Sequence, residues 1–142
     1  MINFGTFLLM QSPSARSSQE IYTRAIDMAQ AAETLGFRNI WLAEHHFSTY
    51  GYLSRPAQLA TFIAAKTERL RVGTAVIVVP LHHPLVIAEE IATLDLLAGG
   101  RVDIGPHRRR LVKRTVHRQA VFAGNPVHID LGGVRMRSLI PE

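Results

Sequence analysis

A chain of 142 residues, 47% hydrophobic and 19% charged, can bury one sizeable core but cannot hold a complete large barrel. Its composition is not that of a disordered segment, and its apolar runs are too short to span a bilayer. The lack of cysteine excludes a disulfide framework and thiolate chemistry, and Met1 to Met10 has neither a basic start nor a small-residue cleavage site, so a cytoplasmic location is expected. The net charge of +5 is uneven: residues 1–104 hold eight Lys and Arg against nine Asp and Glu, whereas residues 105–142 hold eight against two. The chain therefore divides into two compositions, 1–104 and 105–142.

Ile2 to Leu9 reads as a strand. Ser17-Ser18-Gln19-Glu20 has the form of a capping box, in which the serine hydroxyl and the glutamate carboxylate satisfy the free amides of a helix start. Ile21, Ala25, Met28, Ala32 and Leu35 then recur at three- and four-residue steps as one apolar face, and Gly36 supplies a left-handed stop. Phe37 to Ala43 is a second strand, and Pro56 fits the first turn of a helix carrying Leu59, Phe62 and Ile63. Leu70 to Val79 is rich in β-branched residues and reads as a third strand. Pro84 opens a helix with Ile87, Ile91, Leu94 and Ala98 on one face, Gly99-Gly100 closes it, and Arg101 to Ile104 is a short fourth strand.

Alternating strands and helices imply right-handed crossovers and a parallel sheet. Strand starts near residues 2, 37, 70 and 101 are spaced close to the roughly 30 residues per unit of a (β/α)8 barrel, so four units make half of one. An open doubly wound sheet is the rival, although Leu8-Leu9-Met10-Gln11 stands where its Gly-rich fingerprint would follow the first strand. In both architectures the loops after the strands share the ligand-binding edge.

The stretch Ile40-Trp41-Leu42-Ala43-Glu44-His45-His46-Phe47 runs four apolar residues straight into a carboxylate and two imidazoles at that edge. His82 and His83 follow the third strand at the same edge. Imidazoles there can shuttle protons, donate hydrogen bonds to a developing anion or bind metal. A metal-assisted hydrolase is one reading of four histidines and a glutamate, but adjacent histidines on an extended chain point to opposite sides, so each pair offers one ligand at most. His82-His83-Pro84 fits a plain helix start, with the histidines satisfying backbone groups.

Several separated motifs resemble the N-terminal part of the bacterial luciferase-like, flavin-dependent monooxygenases: Asn3 to Phe7, Gly36-Phe37 with Trp41 to Phe47, Arg71 to Val76, His83-Pro84, and Leu94-Asp95 with Gly99-Gly100-Arg101, all in family order over about residues 2 to 105. The resemblance implies the N-terminal half of a (β/α)8 TIM barrel, an α/β fold of about four parallel strands. It implies reduced FMN from a separate flavin reductase, used with O2 to oxidise a small organic substrate such as an aldehyde. By position it makes His45 the catalytic histidine, with His46 and Glu44 supporting it at the flavin edge. It places Ala75-Val76 where family members often carry a non-proline cis peptide against the flavin. Some relatives use a deazaflavin for hydride transfer, and these motifs do not separate the two chemistries.

Beyond Ile104 the pattern departs. Gly105-Pro106-His107-Arg108-Arg109-Arg110 replaces the family's Gly-x-Gly or Gly-x-x followed by Arg-Gly, Arg108 stands where its phosphate-binding arginine would be, and Leu111 to Glu142 matches nothing recognisable. An arginine-rich, acid-poor, abruptly ended tail suggests, as a hypothesis, translation in a shifted frame and hence a truncated chain of doubtful activity. Sequencing the coding DNA tests it: an undisturbed frame running to a natural stop, with no family-like residues in either alternative frame, sinks the idea. Half a barrel leaves two sheet edges and an apolar interior face uncovered, which favours a homo-oligomer. The tail's cations permit contact with nucleic-acid phosphates, but with Phe122 the only interleaved aromatic no specific nucleic-acid role is expected. A flavin-binding remnant without turnover is the further alternative.

Overall fold

The computed structural model describes residues 2–12, 14, 16–48 and 50–106, together with the backbone of three short strands further on. Its main sheet has four strands in the order β1-β2-β3-β4: β1 (Gly5–Leu8), β2 (Asn39–Leu42), β3 (Arg71–Ile77) and β4 (Val102–Pro106). All neighbours are parallel, with Leu8, Leu42 and Thr74 in one register row and Phe7, Trp41 and Gly73 in the next. The crossovers are α1 (Ser18–Thr34), α2 (Pro56–Lys66) and α3 (Pro84–Leu97). The later strands, β5 (Gln119–Phe122), β6 (Asn125–His128) and β7 (Arg137–Ser138), form a separate antiparallel sheet that the sequence did not announce.

The expected punctuation is present. Ser17 and Glu20 form the reciprocal capping box of α1, Gly36 at φ 81° follows its end, and prolines open α2 and α3. The strands are shorter than read from the sequence at β1, β2 and β3, and a 3-10 turn at Val79–Leu81 follows β3.

Two predicted helix faces need correction. In α1 the buried positions are Ile21, Ala25, Ala29 and Ala32, while Met28 and Leu35 are exposed. The buried arc is rotated toward Ala29, which leaves Met28 and Leu35 on the solvent side. In α2 Leu59 and Ile63 are buried, but Phe62 is half-exposed with the Lys66 ammonium 5.6 Å from its ring centre.

The core lies between the sheet and the helices, where Leu8, Ile40, Leu42 and Val72 meet Ile21, Ala25, Leu59 and Ile63. The opposite face corresponds to the interior of a barrel. There the Trp41 indole lies across Gly73, where a Cβ would collide with the ring, and Phe7 stays half-exposed. At the start of the strands this face carries a polar layer: Arg71 donates two hydrogen bonds to the Asp103 carboxylate, at 2.8 and 3.0 Å, and Asn39 donates a third at 2.8 Å. Arg101, one residue before β4, donates to the carbonyls of Ala64, Leu70 and Ala98 and so closes the ends of α2 and α3.

Candidate functional site

β2 ends at Leu42, and the chain continues extended into the rim formed by the C-terminal ends of the strands. Ala43 N–H donates to the Leu8 carbonyl at 3.3 Å and His45 N–H to that of Leu53 at 2.8 Å, so the loop folds back on itself, with Ser48 bridging Gly51. Tyr22 on α1 donates its hydroxyl to the Tyr52 carbonyl at 3.1 Å, fastening this loop to the scaffold.

Glu44 is the hub. Its side chain is wholly buried and accepts three hydrogen bonds: Oε1 from Nε2 of His46 at 2.6 Å and Nε2 of His82 at 2.8 Å, and Oε2 from Val78 N–H at 2.7 Å. Burial alone would raise its pKa; the bonds from His46, Val78 and His82 outweigh that and hold the carboxyl below the ordinary carboxylate range. Glu44 is therefore a carboxylate at neutral pH, joining the loop after β2 to the loop after β3.

His45 points the other way, as alternation along an extended chain requires. Its ring meets Tyr50 edge-on with centroids 5.4 Å apart, and packs on Gly51, where a Cβ would lie 2.7 Å from ring atoms. Its Nδ1 is buried without a hydrogen-bond partner. An unpaired buried lone pair is less costly than an unpaired N–H, which favours the proton on Nε2 and makes this imidazole a donor.

The other expected positions lie along β3 and β4. The peptide bond between Ala75 and Val76 is cis, both residues are part-exposed, and the β3–β4 register shifts between Ala75 and Ile77. Gly105 N–H donates to the Thr74 hydroxyl at 3.2 Å, and a Cβ on Gly105 would come within 2.5 Å of the Thr74 carbonyl, so β4 approaches closely only as glycine. Arg108 lies outside the described residues.

Two side chains were undervalued in the sequence. His82 does not merely satisfy backbone groups: its side chain is 4% exposed, bound to Glu44 on one nitrogen and 3.0 Å from Nη1 of Arg55 on the other. Arg55 stands just before Pro56, a position that gave no signal beyond its nearness to the rim. His83 caps α3 through its backbone only.

Ligand atoms of Glu44, His46 and His82 lie within 4.8 Å of one another, close enough to surround a metal ion. The hydrogen bonding argues against that use. A guanidinium only donates, so Arg55 makes Nδ1 of His82 the acceptor and leaves the ring proton on Nε2, directed at Glu44. A ligating Nε2 would need the reverse.

A parallel half-barrel with a buried carboxylate and imidazoles on its C-terminal rim has the layout of a (β/α)8-barrel enzyme. The profile of the luciferase-like monooxygenases matches residues 2–105, and the chain belongs to that family. It is 38% identical over 104 residues to the alkanal monooxygenase alpha chain of the Kryptophanaron alfredi symbiont, an alignment covering 73% of this chain and 29% of that protein. Monooxygenase RslO1 from Streptomyces bottropensis is 32% identical with a TM-score of 0.71, over 78% of this chain and 34% of its own. The oxygenating constituent of 3,6-diketocamphane monooxygenase from Pseudomonas putida, solved in complex with FMN, gives a TM-score of 0.72 over 75% of this chain and 29% of its own; at 20% identity it shows the fold alone. The chain thus spans about 29% of the length of the curated relative, and the four-stranded sheet is the N-terminal half of the TIM barrel. Among the described residues no helix is long and apolar enough to cross a membrane.

Proposed function

We propose that this rim is the flavin side of a luciferase-like monooxygenase, at which reduced FMN and O2 oxidise a small organic substrate such as an aldehyde. The observation that carries the reading is the unpartnered buried Nδ1 of His45, which favours an Nε2–H donor on a ring held by Gly51 and Tyr50. The residues present suit a flavin: the small, part-exposed Ala75 lies at the cis bond on the rim, and the carboxylate of the site is satisfied by three N–H donors.

Bound reduced flavin supplies the electrons for oxygen chemistry. His45 holds a proton at Nε2, where it stabilises negative charge developing beside the ring. Glu44 fixes His46 through Oε1, and its buried charge keeps that imidazole oriented with Nε2–H inward. Ala75, Val76 and Arg108 are the further positions proposed for the cofactor, Arg108 for its phosphate. A separate reductase delivers the reduced flavin. The exposed Phe4 and Phe7 beside the strand edge favour association with a second chain over an isolated monomer.

Residues 1–104 are proposed as the barrel half that carries this site, and 105–142 as a basic, non-family-like C-terminal segment whose first two residues complete β4. The test is to supply reduced FMN, O2 and a long-chain aldehyde to the full chain and follow all three. Joint consumption, abolished in His45→Ala, supports the oxygenase. Flavin binding without consumption identifies a non-catalytic binder, and reduction of substrate by an added reduced deazaflavin, itself oxidised without O2, identifies the hydride-transfer branch.

A further inference from the structure

Arg55 is exposed, yet its guanidinium is committed to the buried His82 ring at 3.0 Å, and among the described residues no carboxylate lies within ion-pair distance of it. It stands on the loop that also carries Glu44, His45 and His46, whereas His82 stands on the loop after β3. This contact joins the loop after β2 to the loop after β3, as the Glu44 hydrogen bonds to Val78 and His82 also do.

We propose that Arg55 is a positioning residue of the site: by donating to Nδ1 of His82 it keeps the proton off that nitrogen, reserves Nε2–H for Glu44, and so sets the arrangement in which Glu44 carries His46 beside His45. The alternatives for the ring are both opposed by the geometry. With the proton on Nδ1 alone, that N–H would confront the Arg55 N–H, and the Nε2 lone pair would confront Oε1 of Glu44. With both nitrogens protonated, the ring would carry positive charge against the guanidinium. Arg55 thus supplies positive charge to the Glu44 carboxylate at one remove, without proton uptake by the site. The groups facing the His82 ring are Glu44 on one nitrogen and Arg55 on the other, and His46 shares the Glu44 oxygen.

The consequence for catalysis rests on the flavin-site reading, but the test is read without flavin, so the two fail separately. The full 142-residue chain is labelled with 15N in its histidine rings, and the protonation of each nitrogen is read by NMR at neutral pH for wild type, Arg55→Met and Arg55→Lys. In wild type, Nδ1 of His82 is expected to be unprotonated and Nε2 protonated. In Arg55→Met, Nδ1 loses the donor that keeps it an acceptor, its 15N signal is expected to move toward the protonated position, and the His46 signals move with it. Arg55→Lys, which keeps a cationic donor, returns both rings toward the wild-type pattern. A merely structural arginine would lower the melting temperature of the variants and leave the ring nitrogens as they were. Protonation of Nδ1 in the wild type, or unchanged His82 and His46 nitrogens in Arg55→Met, overturns the proposal.

Discussion

Nε2 of His82 lies 2.8 Å from Oε1 of Glu44, across 38 positions of sequence. Only the parallel pairing of β2 and β3 brings the ends of those strands together, so the carboxylate hub is a product of topology.

Replacing Glu44 by glutamine keeps one acceptor oxygen for the imidazoles but turns an amide N–H2 toward the Val78 N–H. The loss is expected to be about 2 to 3 kcal/mol, the scale of breaking charged hydrogen bonds in a buried site. The pH dependence has a definite sign. The folded-state pKa of Glu44 is depressed, so its contribution is complete above the ordinary carboxylate range and is lost as pH falls through the lower folded value. Denaturant unfolding between neutral and acidic pH should show a shallower fall for Glu44→Gln than for wild type. Parallel curves would mean that Glu44 contributes nothing to the acid lability.

Gly51 is the floor under His45. A methyl group there would lie 2.7 Å from Cγ and Nδ1 of the ring, so Gly51→Ala must displace either the imidazole or the loop. Overpacking of this kind costs about 1 to 3 kcal/mol. The melting temperature should drop and the His45 ring proton shifts should change while those of the distant Asp103 layer stay fixed. A variant with unaltered His45 shifts would show that the ring does not rest on this residue.

Arg101 tests the scaffold apart from the site. Removing its donors in Arg101→Met frees the carbonyls of Ala64, Leu70 and Ala98 at the end of the molecule opposite the rim. Chemical denaturation should register a loss of about 2 to 3 kcal/mol, given roughly 1 kcal/mol or more for each lost bond to a charged donor. Stability within about 0.5 kcal/mol of wild type, the usual range for inert surface positions, would show that water replaces the guanidinium without penalty.

Local features were the legible ones. Ser17 with Glu20, Gly36, Pro56, Pro84 and Gly99-Gly100 each mark an element boundary because capping and φ restriction act within a few residues. Which side of a helix faces inward was less legible: Ala29 rather than Met28 is buried, and Phe62 stays half out, because the packing of the neighbouring elements and not side-chain size decides the face. Glu44, His45 and His46 could be placed on the rim from strand direction alone. Their division of labour could not, since His46 binds the carboxylate and His45 the loop only through partners at Val78, His82, Tyr50 and Gly51. Arg55 was invisible for the same reason: its meaning comes from a histidine 27 positions away.

The most direct measurement is an anaerobic titration of the full chain with reduced FMN, repeated on His45→Ala and on the His45→Ala, Arg108→Ala double variant. Saturable binding to wild type is expected, about tenfold weaker without His45, which corresponds to about 1.4 kcal/mol, and weaker again without both. No binding at saturating flavin, or equal affinity for all three proteins, would contradict the placement of a flavin at this rim.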